Sequence, residues 1–115
     1  MAIHYNLAKV HQISENDDEF VKEIINLFVT EIPEDLEKIK DAIEIKDYKN
    51  AYAFAHKIKP TFDLLSMSLA HTEILQIEAW AKAEGKRKEV KEIFKSIKNQ
   101  VDNAVKEIKK DFNLK

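Results

Sequence analysis

Apolar positions recur along this chain at intervals of three and four residues, the period of a helix with one buried face. The longest seam is Val90, Phe94, Ile97, Val101, Ala104, Ile108 and Phe112, which predicts a helix from about Arg87 to Phe112. Tyr48, Ala51, Ala55, Ile58, Phe62 and Leu65 form a second seam, with Asp47 as its cap. Ala70, Ile74, Ile77 and Ala81 form a third, after a turn at Ser66-Met67-Ser68, and Gly85 is the residue that ends it. Upstream, Asn16-Asp17-Asp18-Glu19 reads as a capping box whose acidic first turn suits the helix dipole. It opens a stretch with Phe20, Ile24, Leu27 and Phe28 at helical spacing, widened by Val21, Ile25 and Val29. Pro33 fits the first position of a separate helix carrying Leu36, Ile39 and Ile43. Leu7, Val10 and Ile13 suggest a short first helix capped by Asn6. The pattern predicts an all-α fold: an antiparallel, up-down four-helix bundle with short extra N-terminal helices, in one domain over residues 1–115.

Composition narrows the chemistry. The 115 residues are 44% hydrophobic and 35% charged, enough for one modest core under a solvated surface. No cysteine is present, which removes disulfides, thiolate metal sites and cysteine nucleophiles and suits a reducing, cytoplasmic setting. The single glycine, Gly85, removes every Gly-rich phosphate loop. No apolar run approaches the roughly 20 residues that span a bilayer, and the first residues lack the pattern of a secretory signal, so no membrane association is expected. The formal net charge is −2, divided into −6 over residues 1–50 and +4 over residues 51–115. That total argues against nucleic-acid binding. Lys86-Arg87-Lys88, followed by Glu89, reads as a solvated helix face.

Enzyme signatures are missing. There is no His-Glu-x-x-His, no Glu-x-x-His and no Gly-x-Ser-x-Gly, so neither a metal nor a cofactor of its own is expected. His4 is expected in a frayed terminus, and His11 and His71 as partly exposed helix residues. His56 differs. It lies roughly 120° from the centre of its helix's apolar seam, on a flank open to solvent or a partner. Lys59 stands beside it one turn on, and Lys57 adds a second positive charge. An imidazole next to an ammonium can accept a phosphoryl group, the ring attacking phosphorus and the lysine offsetting charge on the oxygens. If the chain reverses near Met67, Glu78 comes level with His56, with Gln76 the second candidate at that level. A carboxylate accepting the Nδ1–H would leave Nε2 as the nucleophile.

Ala55-His56-Lys57-Ile58-Lys59 resembles the Ala-His-x-Leu/Ile-Lys-Gly core of the histidine-containing phosphotransfer (HPt) domains of two-component phosphorelays. The helical layout is similar to that family over nearly the whole chain, and Tyr5-Asn6-Leu7 and Asp17-Asp18-Glu19-Phe20 resemble its approach to the second helix. The resemblance implies that His56 is the phosphorylated residue, that Lys59 is its lysine, and that Glu78 holds the imidazole. It implies a phosphocarrier without kinase activity of its own. That carrier would take a phosphoryl group from the receiver domain of a hybrid sensor histidine kinase and pass it to the receiver of a response regulator, the receiver supplying Mg²⁺. A monomer is expected, docking through Tyr52, Lys57, Pro60 and Asp63 around His56, with the acids of residues 17–23 biasing which receiver is accepted. Two departures stand out: Pro60 replaces the family's glycine after the lysine, and Ser66 stands where the family often has a glycine before the turn. Pro60 is expected to kink the helix just beyond His56. The alternative from the residues alone is a helical interaction module whose His56 is never phosphorylated.

Overall fold

The computed structural model describes residues 4–15 and 17–114. They form five helices and, among the described residues, no strand: α1 Ala8–Ser14, α2 Asp18–Glu44, α3 Tyr48–Leu64, α4 Ser68–Lys82 and α5 Arg87–Asp111. α3 packs against α2 and α4, α5 also packs against α2 and α4, and α1 rests on α2. No helix among the described residues is long and apolar enough to cross a membrane.

The first correction is at Pro33. It begins no new helix, because α2 runs through it for 27 residues. Proline lacks only the N–H that would reach Val29, and the core contacts on both sides outweigh that missing bond: Phe28, Ile32, Leu36 and Ile39 are all buried on one face. The buried register of α2 is centred on the residues read as widening its apolar face and not on Phe20 and Leu27. Val21, Ile25 and Phe28 point inward, whereas Phe20 and Leu27 are exposed. Ile13, expected in the seam of α1, is exposed as well, leaving Val10 as that helix's buried residue. Asn16, the first residue of the expected capping box, lies outside the described residues. Asp17 is the cap, its carboxylate accepting the N–H groups of Glu19 and Phe20. Asp47 caps α3 in the same way through the N–H of Asn50. Leu7, not Asn6, holds the cap position of α1 and makes no side-chain cap bond; Asn6 stands one residue earlier and accepts the N–H of Ala8 at 2.7 Å.

The turns share one solution. Lys46, Ser66 and Glu84 each adopt a left-handed backbone with φ between 52° and 56°. The next N–H in each turn bonds back to a carbonyl in the last helical turn: Asp47 to Ala42, Met67 to Phe62, Gly85 to Trp80. The left-handed residue after α4 is therefore Glu84 and not Gly85. Gly85 is needed for a different reason: a Cβ there would lie 2.5 Å from Cδ1 of Trp80. The indole cannot easily yield, since its N–H donates to the Lys86 carbonyl at 2.8 Å and its ring packs on Tyr48. Tyr48 in turn donates its hydroxyl to the Gly85 carbonyl. Gly85→Ala is expected to destabilise the fold by about 1–3 kcal/mol through overpacking, measured by urea unfolding. An unchanged midpoint would show that the indole moves aside freely.

Residues 4–7 are not frayed. His4 pairs with Glu107, the Asn6 N–H bonds to the Leu65 carbonyl, and Tyr5 donates its hydroxyl to Asp111 at 2.8 Å. Burial first, then the hydrogen bond to Asp111 and its charge, hold the Tyr5 phenol above its ordinary range. A folded-state pKa raised in this way contributes stability that is complete below the ordinary phenol value of about 10 and is lost as pH rises beyond it. Stability should therefore fall above about pH 10 in the parent chain, and fall less steeply in Tyr5→Phe. Equal slopes in the two proteins would place the alkaline transition elsewhere.

Candidate functional site

The site is built where α3 meets α2 and α4. Ala51, Ala55, Ile58 and Phe62 bury one face of α3, and this turns His56 and Lys59 toward the flank. α3 continues as one helix through Pro60 to Leu64. The proline has no N–H to give to the His56 carbonyl, so that carbonyl lacks its usual helical donor.

Glu78 of α4 faces this flank from inside. It is one of two buried charged residues among those described, with 6% of its surface exposed. Its Oε2 lies 2.9 Å from Nδ1 of His56, and Nζ of Lys59 lies 3.2 Å from Oε1 and 3.4 Å from Oε2. One carboxylate thus holds both groups. A carboxylate can only accept, so in the neutral ring Nδ1 carries the proton and Nε2 carries the lone pair. The His56 side chain is 59% exposed, which leaves that lone pair within reach of a partner. Burying Glu78 is tolerable because both oxygens have partners; with either partner removed, desolvation would be poorly offset.

Tyr52, one turn before His56, stacks on its ring with centroids 5.7 Å apart and planes 11° from parallel. Lys82 does not pair with Glu78, although it sits four residues on; its ammonium lies 5.2 Å from the Tyr52 ring centroid. The chain Lys82–Tyr52–His56 limits the imidazole at one ring face. Lys57 is tied to Asp35 of α2 at 3.1 Å. Asp63 pairs with Lys9 of α1 at 3.0 Å, and Pro60 is exposed between them and the histidine.

Geometrically, then, His56, Lys59, Glu78 and Tyr52 come together, Lys57 stays exposed while its ammonium pairs with the buried Asp35, and Asp63 stands at the α1 edge. Gln76 is exposed and makes no hydrogen bond to His56 among the described residues. Among the described residues, no group of three or more His, Cys, Asp or Glu is placed to hold a metal ion. No family model, no curated protein and no solved structure matches this chain. What the site can do therefore rests on its own residues.

One participant was missed from the sequence. Asp35 is 2% exposed and anchors Lys57 across the α2–α3 seam. A signal for it existed: Ile32, Asp35 and Ile39 fall at i, i+3 and i+7, so a carboxylate occupies a core-facing register and needs a cation from a neighbouring helix.

Proposed function

We propose that this chain is a phosphocarrier of a two-component phosphorelay, resembling HPt domains, with His56 as the phosphorylated residue. The observation that carries the proposal is the exposed His56 ring fixed through Nδ1 by a buried Glu78 that also holds Lys59. In the proposed step, Nε2 attacks the phosphorus of a receiver's aspartyl phosphate, the P–O bond to the aspartate breaks, and that carboxylate leaves. The ring becomes cationic while keeping its Nδ1 proton, and the Glu78 carboxylate stabilises that charge. Lys59, held at the same carboxylate, offsets charge on the transferring oxygens. The receiver supplies Mg²⁺ and the acid pocket, and this chain supplies no ATP site.

We further propose that α2 to α5 form an antiparallel four-helix bundle. Supporting this are the short connections at residues 45–47, 65–67 and 83–86 and the closed circuit of packing α2–α3–α4–α5–α2. In that arrangement α2 flanks α3 and offers the exposed side chains of Phe20 and Leu27 as apolar contacts. The acids of its first turns stand at the rim, where they bias receiver choice.

The test has two readouts. Label on the aspartate of a cognate receiver should move to this chain without ATP. In NMR titration with that receiver, the resonances of Tyr52, His56, Lys59 and Asp63 should shift together while those near Lys109 stay fixed. Docking at this face without label transfer would mark a protein-interaction module instead, and shifts gathered over residues 95–112 would move the docking surface off His56.

A further inference from the structure

A second charged feature lies on another side of the molecule. α5 carries Lys88, Lys91, Lys95 and Lys98 at spacings of three and four, hence on one face. Over ten residues this stripe spans about 15 Å. It faces the C-terminal end of α2, which adds Lys40, and the turn after it, which adds Lys46; Lys86 and Arg87, where α5 begins, complete the lining cations. Between them is a cleft of about 730 Å³. Eight of its eleven lining residues are Lys or Arg, and a single carboxylate, Glu44, is among the rest. The chain as a whole has a net charge of −2, so this concentration is local.

Two physical costs mark the cluster. Lys88, Lys91, Lys95 and Lys98 are like-charged neighbours along one helix face, each pair working against the helix. Arg87 and Lys88 also place cations in the first helical turn, where the dipole favours anions and where Glu89 is the one acid. Relief from within is slight. Arg87 donates to the Glu44 carbonyl at 3.1 Å and lies 3.6 Å from its carboxylate, and Lys98 pairs with Asp102. Among the described residues Lys88, Lys91 and Lys95 have no acid within 4.0 Å. The Lys86-Arg87-Lys88 run, read from the sequence as a solvated face, is thus one wall of a cleft. A local window misses this because Lys40 and Lys46 are 40 or more positions away.

We infer that this cleft binds a small polyphosphate, a molecule carrying three or more phosphate groups within about 15 Å. Shape decides the class. Cations converge on the cleft from three segments, which suits a compact anion entering a concavity. The buried floor, Ile43 and Phe94, exposes too little side chain to anchor an apolar helix or to stack a base.

The probe is inorganic tripolyphosphate, titrated calorimetrically into the full chain. Binding to one site should weaken steeply as salt rises from about 50 to 200 mM, and orthophosphate should bind far more weakly. The double substitution Lys91→Gln with Lys95→Gln should lower affinity by about tenfold or more, since it removes two cations at the centre of the stripe. The matched change Lys106→Gln with Lys109→Gln, further along α5, alters net charge equally and should leave affinity within about twofold. Circular dichroism checks that both variants fold. Should the first fail, Lys40→Gln on α2 should still lower affinity severalfold. Absence of binding at low salt overturns the inference, as does equal loss in the two double variants, which would make the attraction a diffuse one. Tighter binding of a short single-stranded oligonucleotide than of tripolyphosphate would assign the cleft to nucleic acid.

Discussion

His56→Gln is expected to abolish phosphoryl labelling by a phosphorylated receiver while leaving far-UV helicity unchanged. Glutamine is the informative replacement. Its amide N–H₂ can still donate to Glu78, so the buried carboxylate keeps a partner and the fold keeps its α3–α4 contact, but no nucleophilic nitrogen remains. The side chain is more than half exposed, so little packing is lost. The bond formed should also have a characteristic stability. A phosphoramidate on Nε2 is lost in acid and persists in alkali, whereas an acyl phosphate on one of the 21 acidic residues would hydrolyse in alkali. Label that survives in His56→Gln, or that is alkali-labile in the parent chain, would end the proposal that His56 is the carrier.

Much of this site was legible because it depends on local spacing. Periods of three and four placed His56 off the apolar seam and Lys59 beside it, and the 11 residues on each side of Met67 brought Glu78 level with the ring. The rotation of α4 was not legible, since Gln76 lies on a neighbouring level and only packing of Ile74, Ile77 and Ala81 decides which side chain faces α3. Helix identity was likewise readable, but the break at Pro33 was not. A missing N–H is a local cost, and the core face of a 27-residue helix is a non-local gain that a short window does not weigh. The ends failed for a related reason. Glycine is the favoured left-handed residue after a helix, yet Glu84 takes that conformation here, as Lys46 and Ser66 do after α2 and α3, and Gly85 serves instead to leave room for Trp80. His4 and Lys57 show the same limit: their partners Glu107 and Asp35 are 103 and 22 positions away.

Lys59→Ala is expected to slow phosphoryl transfer in both directions, with a loss of about 1–3 kcal/mol in transition-state stabilisation. The direction follows from charge. The Lys59 side chain is three-quarters covered and its ammonium is fixed at Glu78, so its field acts on a phosphoryl group at His56 through less water than a free surface lysine would. Because it stabilises the transferring group between donor and acceptor, forward and reverse rates should fall by the same factor and the equilibrium should shift little. Lys59→Arg keeps the charge and should recover part of the rate, although a planar fork fits the shared carboxylate differently. Glu78→Ala tests the other half of the arrangement. It releases both Nδ1 and the ammonium, yet Nε2 stays nucleophilic, so its effect on transfer should be smaller than that of Lys59→Ala. Stopped-flow transfer from a receiver, with unfolding measured alongside, separates these effects from stability. If both alanine variants transfer at the parent rate, His56 works without the support of its neighbours, and the shared carboxylate serves only to join α3 to α4.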